Sequence, residues 1–506
     1  MYKVELKNGF FWVSGDNTEI QKFQWLTYND RKDAYYFLAN PCTRKYFARD
    51  MLGDPNMSIS DADLEYLKNF RMSGFIGKYS KDLELPALPA NKKFKDYQIE
   101  CVYKMLEHKN YCMFLGPGTG KTLIAITYLN NAKPKNVLVL TPQKVVNQYV
   151  NEIGKYISYM PSIEVTNFEQ ILAREEHFAS QHYDCMIIDE SHRLKDYMGK
   201  TATIIRKKMN VDRMYLFSGT PQDSSRFDVM SQLALFDSRF VPSKSLFINR
   251  YFELNDYYKP VKEKMPEELT EMIKLVSCGS ETEDLVALTA QNEFEIKCKK
   301  PPEYEELRKT KLLIRDNFEL VCDTPGKLSV KLRELSNGFC VDDFGRKLKV
   351  ESNKAEELEK LISNNIENGI IYTMFDEDVE TIVPILEKNN RTFCVVTGKT
   401  KKPVADKNIE DFKAGLCEFI VIQANSGKEG LDLINTNNTI FFSLPPSYIT
   451  YKQCMHRTRR LGQTKDCNFY YLLCPGVDTH IRSLLLQKKS FNARLYRIYK
   501  VDPKES

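Results

Sequence analysis

Two short stretches of this chain carry the residue types that phosphate chemistry needs. In "FLGPGTGKT", Phe114 to Thr122, glycines at 116, 118 and 120 let backbone N–H groups approach phosphate oxygens. Lys121 supplies a point charge there, and Thr122 a hydroxyl for Mg2+ at a helix N-terminus. The match is to the tail of a phosphate-binding loop, since the strict pattern has glycine where Leu115 stands. Further along, "DCMIIDESH" is an apolar run that ends in adjacent acids. Asp189 suits Mg2+, held directly or through water, and Glu190 suits the orientation and deprotonation of an attacking water. Each stretch alone has an ordinary explanation, because glycine turns join many strands to helices and acid pairs often end strands as solvated loops. Together they point to a nucleoside triphosphatase.

Two more places could complete such a site. Gln98 in "FKDYQ" shortly precedes the glycine loop, and a carboxamide offers both a donor and an acceptor. It could pair with the edge of adenine and prefer ATP to GTP. In "QCMHRTRRLGQ", Arg457 and Arg460 stand three residues apart, hence on one expected helix face. Such a pair could neutralise charge on a transferring phosphoryl group; the plain alternative is a basic helix against nucleic acid or solvent. His456 reads as an ordinary polar helix residue.

These residues need a scaffold, and the sequence outlines one. Between about residues 94 and 240, "YCMFLG", "NVLVLTP", "DCMIIDE" and "RMYLFSGT" alternate with helical patterns, and each ends in a polar turn. Strands alternating with helices imply a doubly wound parallel sheet whose ligand crevice lies at the carboxyl ends of the strands. The pattern returns in "NGIIYTMF", "RTFCVVTG", "EFIVIQANSG", "NTIFFSLP" and "NFYYLLCP". The expected α/β organisation is therefore an accessory α+β domain over 1–88, a first lobe over 89–240, a helical spacer over 241–345, and a second lobe over 346–506 with a helical tail. Pro86 and Pro89 mark the first boundary. The accessory domain is rich in aromatics ("FFWVSG", "FQWLTY", "TRKYFARD") that could stack on unpaired bases beside cations, or could simply be the core of a domain bracing the first lobe.

Composition narrows the class. The 506 residues are 42% hydrophobic and 28% charged, which is ordinary for a folded globular chain. A net charge of +5 permits a polyanion partner without identifying one. Thirteen cysteines are scattered singly with no C-x-x-C pair, so small buried hydrophobes are expected, not zinc or disulfides. The N-terminus lacks a signal-peptide core, and no apolar run is long enough to span a bilayer. The expectation is a cytoplasmic protein of a bacterium or a phage-infected cell, with no membrane partner.

The ordered set of motifs resembles helicase superfamily two, and within it the Swi/Snf-type branch of double-stranded DNA translocases. The resemblance runs over about residues 94 to 485: Gln98, "GPGTGKT", "LTPQKVVNQY", "VTNFEQI", "DESH", "SGTPQDSSRFDVMSQL", "IIYTMF", "QANSGKEGLDL" and "QCMHRTRRLGQ". The small size resembles phage or bacterial members. The resemblance implies two RecA-like lobes with ATP and Mg2+ as cofactors. Gln98, Gly116, Pro117, Gly118, Thr119, Gly120, Lys121, Thr122 and Gly430 would bind nucleotide, and Thr122 and Asp189 the metal. Lys121, Asp189, Glu190, Arg457 and Arg460 would be catalytic. Thr141, Pro142, Thr166, Asn167, Thr373, Ser426, Gly427 and Lys428 would hold DNA backbone, mainly through phosphates and so without reading sequence. The implied activity is movement on duplex or branched DNA in recombination, replication or repair. An RNA helicase or a viral transcription-release ATPase is the rival enzyme. A nucleic-acid scaffold with a vestigial ATPase is the non-enzyme rival, which the intact Lys121, Asp189, Glu190, Arg457 and Arg460 oppose.

Overall fold

A computed structural model describes residues 1–69, 74–90, 93–223, 225–255, 260–280, 282–285, 288–364, 366–426, 433–460 and 462–487. The chain forms two compact units, Met1–Leu285 and Val286–Ser490. The first contains a five-stranded sheet in the order Thr27–Asn29, Ala34–Phe37, Phe10–Gly15, Tyr2–Lys7 and Met57–Ile59. Only its last pairing is parallel. Phe10, Phe11 and Trp12 are buried in this sheet's core, so these rings are packing groups and not stacking platforms for bases.

The same unit holds the first RecA-like lobe, whose sheet has six parallel strands: Ser277–Ser280, Asn110–Leu115, Met214–Phe217, Cys185–Asp189, Asn136–Leu140 and Ser162–Thr166. The three central runs, "MYLF", "CMIID" and all but the first residue of "NVLVL", are buried throughout, as strands covered on both faces must be. This crossover order brings the glycine loop after Leu115 and the acids after Ile188 to the same edge of the sheet, with the strand Met214–Phe217 between them.

The second unit holds the other RecA-like sheet, again six parallel strands, in the order Gln291–Lys297, Cys467–Leu473, Asn438–Phe441, Gly369–Thr373, Phe419–Gln423 and Phe393–Val396. Lys354, fully buried, ties this lobe together by bonding Asp478 at 2.7 Å and the Asn337 side-chain oxygen at 2.8 Å.

The segment 241–345 departs from the expected helical spacer. Ser277–Ser280 is a strand of the first sheet and Gln291–Lys297 an edge strand of the second. Two hairpins, Leu312–Arg315 with Phe318–Val321 and Phe339–Val341 with Lys347–Lys349, lie around the helices Pro302–Thr310 and Pro325–Ser336. These strands are short or flanked by charge, so their apolar pattern is weak in sequence. All thirteen cysteines are free thiols and eleven are buried, as expected of small hydrophobes. Among the described residues no helix is long and apolar enough to cross a membrane.

Candidate functional site

The glycine loop is built as a cradle. Gly120, in the left-handed region at φ 82°, caps the helix Lys121–Ala132, and a Cβ there would fall on the Gln98 side-chain amide. A Cβ at Gly116 would strike Thr282, a residue beyond the edge strand whose hydroxyl donates to the Pro117 carbonyl at 3.0 Å. Thr119 donates its hydroxyl to the Gly116 carbonyl at 2.8 Å. Lys121 Nζ reaches back to the carbonyls of Leu115 and Gly116, both at 3.3 Å. The loop is thus held from outside, leaving its N–H groups at a helix N-terminus where an anion is favoured.

Gln98 is part of that support. Its amide donates to the Thr119 carbonyl at 2.9 Å, and its oxygen accepts from Lys95 N at 3.0 Å. Tyr97 bonds the same Thr119 carbonyl through its hydroxyl at 2.8 Å. Both polar functions of Gln98 are therefore occupied by the backbone in this conformation, and the adenine-reading role is not what its contacts display.

Asp189 and Glu190 follow the central strand Cys185–Asp189. Burial, and then the Glu190 charge, push the Asp189 carboxyl up to about 7, opposed by Lys121. A buried carboxyl beside a second acid, with Lys121 acting on it, is the kind of group that suits a metal ion. Together with the glycine cradle, this is the fit expected for Mg2+ and a nucleotide phosphate chain. Glu190 adopts a left-handed backbone at φ 52°, a costly choice for a residue with a Cβ. His192 Nδ1 lies 3.2 Å from a Glu190 carboxylate oxygen and 3.2 Å from the Ser218 hydroxyl. Ser191 donates to the Gln232 side-chain oxygen at 2.8 Å, and Gln232 Nε2 donates to the Pro221 carbonyl at 2.7 Å. The acids are thereby wired to the "SGTP" turn and to the helix Phe227–Leu233. Sequence reasoning gave no separate role to His192, Gln232 or Thr282; an amide inside an apolar pattern is the signal that could have found Gln232, and nothing in the polar stretch around Thr282 marks it.

In the second unit, Arg457 lies in the last turn of the helix Tyr448–Thr458 and is buried. Arg460 is not on that helix. Arg459 leaves helical geometry at ψ 86° and Gly462 turns left-handed at φ 96°, so the chain stops short of the turn that would have stacked the two arginines. Their i, i+3 helix-face relation is corrected accordingly.

The expected DNA-backbone residues also need correction. Thr141 and Thr373 are fully buried, with hydroxyls that find no partner among the described residues. Thr141 N is bonded to the Thr166 carbonyl at 3.0 Å, and Pro142 is buried. Thr166 and Asn167 are buried as well; Asn167 caps the helix Phe168–Ala173 by accepting from Gln170 N at 2.9 Å and donates to Gln143. These side chains end apolar strands and finish the lobe's interior. Gln143 and Lys144, just beyond, are exposed. Ser426 is half-buried, its hydroxyl donating to Gln423 at 3.2 Å. Gly427, Lys428 and Gly430 lie outside the described residues.

Three family models match the chain: the type III restriction enzyme res subunit over residues 91–171, the SNF2-related domain over 159–321, and the helicase conserved C-terminal domain over 353–462. An uncharacterized ATP-dependent helicase of Bacillus subtilis is 22% identical over 78% of this chain and 77% of its own length. The DNA repair and recombination protein of Saccharomyces cerevisiae is 21% identical over 82% of this chain, which spans only 53% of that protein. A solved Sulfolobus solfataricus SWI2/SNF2 ATPase core in complex with dsDNA is 20% identical, covering 83% of this chain and 95% of that one with a TM-score of 0.38. The chain thus matches a SNF2-related domain over 159–321 and a helicase C-terminal domain over 353–462, and is similar over most of its length to Swi/Snf-type ATP-dependent helicases.

Proposed function

We propose that the first unit binds ATP with Mg2+ and hydrolyses it, and that the chain uses turnover to move along duplex or branched DNA in recombination, replication or repair. The observation that carries the first half is the pair of acids behind the glycine cradle, with Asp189 buried beside Glu190 and its carboxyl pushed up to about 7. Glycine-loop N–H groups and Lys121 take the phosphates. Thr122 and Asp189 hold Mg2+, which neutralises phosphate charge when bound. Glu190, oriented by His192, orients the attacking water and accepts its proton. Arg457 and Arg460 supply positive charge to the transferring phosphoryl group.

The DNA half is supported by the family and by a relative whose name places it in DNA repair and recombination. Phosphate contacts in the first unit fall to exposed groups such as Gln143 and Lys144, and not to Thr141, Pro142, Thr166 or Asn167. The test is ATPase rate measured side by side with single strand, duplex, fork, four-way junction and RNA. Stimulation by duplex or branched DNA supports the reading. Stimulation by RNA alone replaces it with an RNA helicase, and no turnover under any condition replaces it with a scaffold.

A further inference from the structure

Tyr149 lies near the start of the helix Val146–Tyr156, its ring packed in the core with 1% of its surface exposed. Its hydroxyl is buried and has no hydrogen-bond partner among the described residues. Such a group is disfavoured unless something arrives to meet it. Burial most of all holds this phenol protonated, the Asp189 and Glu190 charges adding to the effect, while the Thr122 side chain, near enough to act on the phenol oxygen, opposes it. These are the residues of the phosphate and acid site. Two other tyrosines of the first unit, Tyr128 and Tyr183, also have buried hydroxyls without a described partner, but the groups acting on them are Cys185 and Tyr215 in one case and Glu164 and Arg174 in the other. Tyr149 is the one of the three acted on by Thr122, Asp189 and Glu190 of the candidate site.

We propose that Tyr149 is a positioning residue of the nucleotide site, whose hydroxyl donates to an oxygen that arrives with the Mg2+-nucleotide. That oxygen belongs to a water of the metal shell or to a phosphate; the donor chemistry is the same. The inference rests on the ATP reading above and deepens it. In the unligated protein the hydroxyl is a burden on stability, and in the complex it helps fix the group that Thr122 and Asp189 would hold.

The full chain is tested as Tyr149→Phe, with Tyr128→Phe as a control that removes an equally buried hydroxyl elsewhere. Thermal unfolding without ligand and ADP affinity, with Mg2+ and with EDTA, are measured on both and on wild type. Tyr149→Phe is expected to unfold at the same temperature as wild type or higher, yet to bind MgADP about five- to tenfold more weakly, the size of one hydrogen bond. Tyr128→Phe is expected to keep wild-type affinity. A loss confined to the Mg2+ arm assigns the oxygen to a shell water, and a loss equal in both arms assigns it to a phosphate. Wild-type MgADP affinity in Tyr149→Phe, or a lower unfolding temperature without ligand, overturns the inference alone. Failure of the wild type itself to bind ADP in either arm overturns the ATP reading and this inference with it.

Discussion

Arg250 is the residue on which the N-terminal sheet and the first lobe depend together. It is fully buried and forms a bidentate pair with Glu268, at 2.8 and 3.1 Å, while its other nitrogen donates to the Trp25 carbonyl at 3.1 Å and the Thr27 hydroxyl at 3.0 Å. Glu268 also accepts from Asn40 at 2.9 Å and Tyr251 at 2.8 Å, so every charge is met by partners from both sides of the junction. Arg250→Met would leave a carboxylate that is 3% exposed with two neutral donors and no cation. Removing one partner of a buried pair costs about 3–5 kcal/mol, whereas replacing both by apolar groups is often close to neutral. Arg250→Met should therefore lose about 3–5 kcal/mol, and Arg250→Met with Glu268→Leu should recover most of it. The chain's two tryptophans, Trp12 and Trp25, both lie in the N-terminal domain, so urea unfolding followed by their fluorescence reports on this junction selectively. A single substitution costing under about 1 kcal/mol, or a double variant no more stable than the single one, would refute the account. The same reasoning predicts that a chain starting at Pro89 exposes Arg250 and Glu268 and fails to fold.

The remaining expectations concern the site. Glu190→Gln should retain MgATP binding, read by equilibrium titration, and lose turnover, because the amide keeps its shape but accepts no proton; near-normal turnover would remove Glu190 from its role. Arg457→Ala or Arg460→Ala should lower kcat by on the order of 10³-fold, and a loss of DNA affinity alone would reassign them to phosphate contacts. The Asp189 carboxyl is raised from 3.8 to about 7, so between those pH values the folded state holds a proton that the unfolded state releases. Unligated stability should fall as pH rises from 3.8 towards about 7 and level off above it, while MgADP affinity rises as the carboxyl deprotonates near pH 7, and Asp189→Asn should flatten both trends in pH-dependent unfolding and titration. DNA affinity should fall steeply between about 50 and 200 mM salt, since phosphate contacts release counterions; a flat response contradicts backbone tracking.

Much of this was legible in the residues because two strong signals coincide there. Long apolar runs ending in glycine or acid mark central parallel strands, and nine such runs became strands of the two sheets. Two edge strands carry no such mark: Ser277–Ser280 is the short polar "SCGS", and Gln291–Lys297 alternates charge with apolar residues, so both disappeared into an expected spacer. The glycine loop and the acids were readable because their chemistry demands particular residue types. Thr141 and Thr373 were misjudged because a motif fixes where a residue falls along the chain but not which way its side chain turns; at the end of a buried strand it turns inward. Arg460 was placed on a helix that the residues after Thr458 end.

Two kinds of buried polarity divide the first unit between scaffold and site. At Arg250, Glu268, Asn40 and Tyr251 the buried charges are paired and all the donors but Arg250 Nε find an acceptor among the described residues, and the network fixes one arrangement of the N-terminal sheet on the lobe. At the carboxyl edge of the central sheet the opposite holds. Asp189 is buried beside a second acid, Glu190 sits in a left-handed backbone, and Tyr149 has a hydroxyl without a described partner. Three unfavourable features within a few residues of the glycine cradle would be a defect in a scaffold. They make sense where a cation and a phosphate chain complete the site: the charge suits Asp189, the oxygen suits Tyr149, and the Glu190 backbone is held strained to place its carboxylate. Binding energy is then drawn from strain already stored in the fold. That is why substitutions which calm the unligated protein, Asp189→Asn and Tyr149→Phe, are the ones expected to weaken the nucleotide complex, whereas Arg250→Met should harm both states alike.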